Sequence, residues 1–341
     1  MSIVENLAKR LEAAKGDLRA ESAIAAEFFL SAKPESERES LRAALDAVAV
    51  LRWFDAALIG KVLSIPADMA RQNFEALAAM PFIERFESHA GNLRNLHEST
   101  RLGWRRRLAE ASPERFRALS ARAAECYAND STSTGRIEWI YHLLCGDPDR
   151  GATELENFDR EWSSRIHPEE RYALAAALTE LENLQLLWGR ARVWVLLVVA
   201  WADHARGNVA KLADAANYVL GLARSVSDER AEADAQCLLG DVQVTQGKLT
   251  EASATFAEFL HASRRLVERD YNNVGRQREL AIAYGRQGNV LLKQGKLTEA
   301  HAAFEECLNI GHWLAAQTPK TPTGSMNLPW LKPEGVSPCW R

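Results

Sequence analysis

Most of the features that mark out a protein class are scarce in this sequence. Cysteine occurs five times, at Cys126, Cys145, Cys237, Cys307 and Cys339, an odd number without regular spacing. That pattern gives no disulfide framework, and without a CxxC pair it gives no structural zinc site. Long hydrophobic runs are missing. The longest, Val193–Trp201, is about half of the ~18–20 residues that cross a bilayer, and it reads as a buried helix. Met1–Ala20 mixes acids, bases and apolar residues and lacks the continuous apolar stretch of a signal peptide. The expectation is a cytoplasmic chain with reduced thiols and no membrane segment. Charge of one sign is missing too. Lys and Arg number 42 against 46 Asp and Glu, net −4, which disfavours a protein that coats nucleic acid. Catalytic signatures are lacking: there is no GxSxG elbow, no HExxH and no GxGxxG. The expectation is a non-enzyme with no cofactor and no metal.

What the sequence does have is alanine and leucine, the best helix formers, in a chain of 341 residues that allows two or three domains. Strict alternation of β-branched and polar residues is nearly missing, so the fold class expected is mainly α. His142-Leu-Leu-Cys145 has a ligand-like spacing, but Tyr141, Leu143 and Leu144 make it an apolar helix face, and core packing is the reading. His167-Pro168-Glu169-Glu170 reads as a helix start, with Pro in the first turn and acids near the positive end of the macrodipole. Trp188, Trp194 and Trp201 sit in apolar helical stretches and read as core.

A repeat is plain in the last third. Gly240-Asp-Val-Gln-Val-Thr-Gln-Gly-Lys-Leu-Thr-Glu-Ala252 recurs as Gly288-Asn-Val-Leu-Leu-Lys-Gln-Gly-Lys-Leu-Thr-Glu-Ala300. Each copy reads as a helical hairpin. Gly247 or Gly295 breaks the first helix, and the second begins near Thr250 or Thr298. The apolar face of the second helix is Ala252, Phe256, Phe259 and Leu260 in one copy, and Ala300, Phe304, Cys307 and Leu308 in the other. A third, weaker unit has Arg190–Ala205, a turn at Gly207 and Lys211–Ser225, preceded by a helix over Glu170–Leu187.

These residues resemble the tetratricopeptide repeat family, with Gly240, Gly247, Ala252 and Phe256, and again Gly288, Gly295, Ala300 and Phe304, at its motif positions. Phe259 departs from the small residue usual there, and the interval between copies exceeds the family's ~34 residues. The resemblance implies an α-solenoid whose concave face binds a protein or peptide partner. Matched to the family's positions, Asp241, Val244, Thr245, Asn289, Leu292 and Lys293 line that face. Gly285 stands where carboxylate-gripping repeats carry a Lys, so that clamp is incomplete.

Upstream, the pattern predicts helices over Ser36–Arg52, Asp55–Leu63 and Ala67–Ala79, then extended segments at Phe82–Phe86 and Leu93–Leu96 separated by a turn at Gly91. Three helices and a β-hairpin is the plan of a winged helix. A DNA-reading helix would be Ala67–Ala79, but Asp68 and Glu75 offset Arg71, and Arg105-Arg106-Arg107 reads as a solvated basic face. Leu51–Leu58, Phe74–Ala79, Phe82–Phe86 and Leu96–Arg101, followed by Phe116–Tyr127 and Trp139–Leu144, resemble the winged helix and following helical hairpins of STAND-class signalling ATPases. That resemblance makes Leu96-His97-Glu98 the place of the family's nucleotide-sensing His, with Glu where Asp is usual. The class also needs a P-loop, GxxxxGK[ST], and none is present. The resemblance implies either a split partner of a separate ATPase or a shortened descendant that kept the sensor and repeat parts.

The expected organisation is a helical segment over 1–35, a winged-helix-like domain over 36–110, a helical-hairpin region over 111–168, repeats over 169–318 and a disordered Pro-rich tail over 319–341. The expected function is a protein-interaction scaffold or regulatory partner. The alternative is a DNA-binding transcription regulator.

Overall fold

A computed structural model describes residues 3–86, 92–162, 168–208 and 211–317. The Pro-rich tail, Gly91 and His167 lie outside the described residues. The chain is mainly helical, with sixteen helices and one two-stranded sheet among the described residues. It divides into two compact units, Met1–Glu154 with Glu180–Leu187, and Leu155–Thr179 with Trp188–Arg341.

The first unit contains α1 (Ile3–Ala13), α2 (Leu18–Ser31), α3 (Glu35–Val50), α4 (Ala56–Leu63), α5 (Ala67–Ala78), β1 (Ile83–Arg85), β2 (Arg94–Leu96), α6 (Glu98–Ala111), α7 (Pro113–Tyr127) and α8 (Ser133–Gly146). Local chemistry sets these boundaries. Asp55 accepts from the Leu58 N–H and caps α4, which ends at Ser64 in the left-handed region. Pro66 then opens α5, and its missing N–H costs nothing at a helix start. β1 and β2 pair antiparallel with Ile83 opposite Leu96, and a bridge from Phe54 to Arg94 adds a rung. Helix α3 is the centre of this core: every residue from Ala44 to Leu51 is buried, including the charged Asp46. Helices α7 and α8, expected in a region apart, belong to this unit, where α7 packs on α3, α4 and α6.

The second unit is a series in which each helix packs on the next: α11 (Gly189–Ala205), α12 (Leu212–Ser225), α13 (Glu229–Thr245), α14 (Leu249–Arg269), α15 (Val274–Lys293) and α16 (Leu297–Gln317). Before it, α9 (Pro148–Trp162) and α10 (Pro168–Asn183) each contribute residues to both units. Gly247 and Gly295 turn their hairpins at φ +76°, a conformation that a side chain resists. Gly240 and Gly288 serve a different purpose. A Cβ on Gly240 would lie 2.4 Å from Phe256 Cε1, and one on Gly288 would lie 2.7 Å from Phe304 Cε1. Both hairpins are therefore closed by one device, an aromatic ring of the second helix seated against bare backbone of the first. Helices α14 and α15 run to 21 and 20 residues, and this length takes up the long interval between copies.

Three core assignments need correction. Leu308 is 43% exposed and Cys307 is only half-buried, because no described element packs against the outer side of α16. Trp188 is 52% exposed, since it precedes α11 on extended backbone, whereas Trp194 and Trp201 are buried within that helix.

Candidate functional site

The residues expected on a partner-binding face lie on α13 and α15. Thr245, Leu292 and Lys293 are exposed, and Val244 and Asn289 are half-buried. The Thr245 hydroxyl is spent within its own helix, donating to the Asp241 carbonyl at 2.9 Å. Asp241 does not present a free carboxylate. Its Oδ2 lies 2.8 Å from Arg286 Nη2, and both side chains are 13% exposed. Burial pushes Asp241 up, while Arg286, then His204 and Lys293, pull it down. The sequence reading of Asp241 as a ligand-facing acid is therefore corrected: it binds α13 to α15.

A polar cluster surrounds this pair. Arg286 hydrogen-bonds the Cys237 thiol, which burial and Asp241 push up to about 12, so it is a protonated, unreactive group. His204 of α11 is held below the usual histidine value by burial, against the pull of Asp241. A second set of charges spans the same helices near their starts. Glu156 of α9 accepts from Arg190 of α11 and from Arg230 of α13, the latter at 2.7 Å. Arg230 also pairs with Glu279 of α15, and Arg190 Nε with Asp228 at 2.7 Å. Four helices of one unit are thus tied by half-buried ion pairs. Such pairs fix geometry and register more than they add stability.

The first unit holds a deeper network. Arg101 grips Glu180 with two bonds, 2.8 Å from Nη1 to Oε1 and 2.5 Å from Nη2 to Oε2. Arg105, with no exposed surface, donates to the Tyr141 hydroxyl and to Cys145 Sγ at 3.3 Å, and its guanidinium lies 4.6 Å from the centre of the Tyr141 ring. Tyr141 in turn donates to Glu180. Arg107 binds both oxygens of Glu27, and Arg106 pairs with Glu110 on its own helix. The reading of Arg105-Arg106-Arg107 as a solvated basic face is thereby corrected at Arg105, while Arg106 stays exposed. The periodicity of α6 turns Arg105 inward, and Arg107 is neutralised in place.

His142 is wholly buried, stacked on Tyr127 with ring centroids 5.9 Å apart and 3.6 Å from Glu138. Burial holds it low, against Glu138, so it is neutral near pH 7. No group of three metal-ligating side chains occurs among the described residues. No described helix is long and apolar enough to cross a membrane. His97 is exposed at the start of α6. Its N–H donates to the Phe82 carbonyl at 2.8 Å, and its Nδ1 lies 2.9 Å from Ser99 Oγ. On α5, Asp68, Met69, Arg71, Gln72 and Glu75 are exposed, while Asn73 turns inward and accepts from Ser40 at 2.9 Å.

No family model, curated protein or solved structure matches this chain. The geometry alone must carry a functional reading.

Sequence reasoning missed Arg286 and Glu180. One signal for Arg286 was present. In the repeat register it stands where the preceding copy has Leu238, a charge in place of a core residue. Glu180 had no such signal, because its partners lie 39 and 79 positions away in the chain.

Proposed function

We propose that the second unit is a tetratricopeptide-type interaction module and that the chain works as a non-enzymatic scaffold or regulatory partner. One observation carries this reading: Gly240 against Phe256 and Gly288 against Phe304 close two successive hairpins identically, with the same φ at Gly247 and Gly295. Successive identical hairpins bury a shared core between neighbours and expose a row of first-helix side chains. Leu292 and Lys293, with Thr245, Val244 and Asn289, form the contact set for a partner peptide. Asp241 acts indirectly by fixing Arg286 and the spacing of α13 and α15.

For the first unit, α3 to α5 followed by β1 and β2 supports a winged-helix-like reading, and the helices after it fit the arrangement of a STAND-like protein. His97 is the candidate nucleotide sensor. Its bond to Ser99 supports a simpler role in fixing the start of α6. The DNA-binding alternative is disfavoured by charge: exposed Asp68 and Glu75 outweigh Arg71, and Arg105 is unavailable to phosphate. A gel shift at low salt is expected to show no retardation.

The interaction role is tested with the tagged chain purified from its native cells. A partner recovered that way, titrated by calorimetry, should bind Leu292→Arg/Lys293→Glu at least tenfold more weakly than the wild type. Unchanged affinity would remove this face from the proposal.

A further inference from the structure

The first unit has an open groove with about 750 Å³ of space between α3, α5 and α7, apart from every residue assigned above to partner binding. Its floor is apolar, with Ala43, Leu63, Ile65 and Leu119. Met69, 44% exposed, stands at its edge. Such apolar surface at a concave place, with a few set polar groups, is the usual make-up of a binding site.

Two further observations say what it would take. The first is Asn73. It lines the groove and is 5% exposed; Ser40 satisfies its Oδ1, but its Nδ2 has no hydrogen-bond partner among the described residues. A buried amide donor left without an acceptor is uncommon, and a ligand carbonyl would complete it. The second is charge. Arg115 is committed to Asp46 at 2.8 Å, and Arg122 donates to the Val62 carbonyl at 3.3 Å. Glu39 and Glu114, also lining the groove, are exposed, and their side chains make no hydrogen bond or ion pair with any described residue. The charges free to meet an incoming group are therefore carboxylates.

We propose that this groove binds a short segment of a partner protein that is apolar and basic. One branched apolar side chain sits on the floor, a backbone carbonyl of the segment accepts from Asn73 Nδ2, and a neighbouring Lys or Arg faces Glu39 and Glu114. The site is independent of the repeat face and stands whether or not that face binds a peptide.

The test uses the full chain with ¹³C-labelled methionine methyls and two probes: an acetylated, amidated 14-residue amphipathic Leu/Lys peptide and its Leu/Glu counterpart. The Leu/Lys peptide should shift the Met69 methyl signal saturably, and the Leu/Glu peptide should not. Glu39→Gln/Glu114→Gln, both at exposed positions, should weaken the Leu/Lys peptide at least fivefold. Ala118→Trp, an exposed lining position, should abolish the shift by filling the groove. Three results would overturn the proposal. They are no Met69 shift with Leu/Lys, equal shifts with both peptides, and a Met69 shift that follows protein concentration without peptide, which would make the occupant a second copy of the chain.

Discussion

Single side chains carry much of the specificity of the first unit, and Glu180 is the clearest case. Burial pushes this carboxyl up, but hydrogen bonds and charge from Arg101, then the charge of Arg105, hold it at about 2 against an ordinary 4.5. A carboxylate held low stabilises the fold fully above its unfolded value and loses that contribution as pH falls through the folded one. The window is therefore pH 4.5 down to 2, and a shift of this size corresponds to about 3 kcal/mol. Glu180→Gln should flatten the acid limb of the urea-denaturation free energy across that window. Arg101→Ala should destabilise the first unit by about 3 kcal/mol at pH 7, because it leaves Glu180 part-buried with only the Tyr141 hydroxyl and the Arg105 charge 3.6 Å away. None of this was legible residue by residue. Arg101 and Arg105 are charged letters in a charged stretch, and only the packing of α6 shows that they point inward.

Helices and turns were far more legible. The limits of α3, α4, α5, β1 and β2 fall within about two residues of those the pattern gives, because capping, proline and glycine act locally. Asp55, Pro66, Gly247 and Gly295 act through their own backbone neighbours and need no distant partner. The close approach at Gly240 leads to a sharper expectation. Gly240→Ala places a methyl 2.4 Å from a ring carbon of Phe256 and should cost about 1–3 kcal/mol in thermal denaturation. Phe256→Leu has its own cavity cost, but combined with Gly240→Ala it should cost less than the sum of the two single changes. Strict additivity there would mean the glycine is not needed for the ring. Where the sequence misled at this scale, Trp188 falls on extended backbone before α11 rather than in a helix, and at Leu308 the periodicity was right about helix but silent about what lies beyond it. An apolar residue is buried only if something packs on its side.

For the whole molecule, the chain resolves into two units with separate polar networks: Arg101–Glu180–Tyr141–Arg105 in one, Asp241–Arg286–Cys237 in the other. Substitutions without shared partners add. Arg101→Ala and Gly240→Ala combined should therefore destabilise by the sum of their separate effects, within about 0.5 kcal/mol. A larger departure, measured by global fitting of urea curves, would reveal coupling between the units. The sequence by itself determined the helical class, the two-copy hairpin and the limits of most elements, since each follows from spacing and backbone preference within a few residues. It did not determine which charges would be buried. Asp241 reads as a surface acid until α15 brings Arg286 against it, and Arg105 reads as a surface base until Tyr141 and Cys145 enclose it. Electrostatic pairing depends on distance in space, and partners some forty residues apart in the chain become neighbours only when the helices pack.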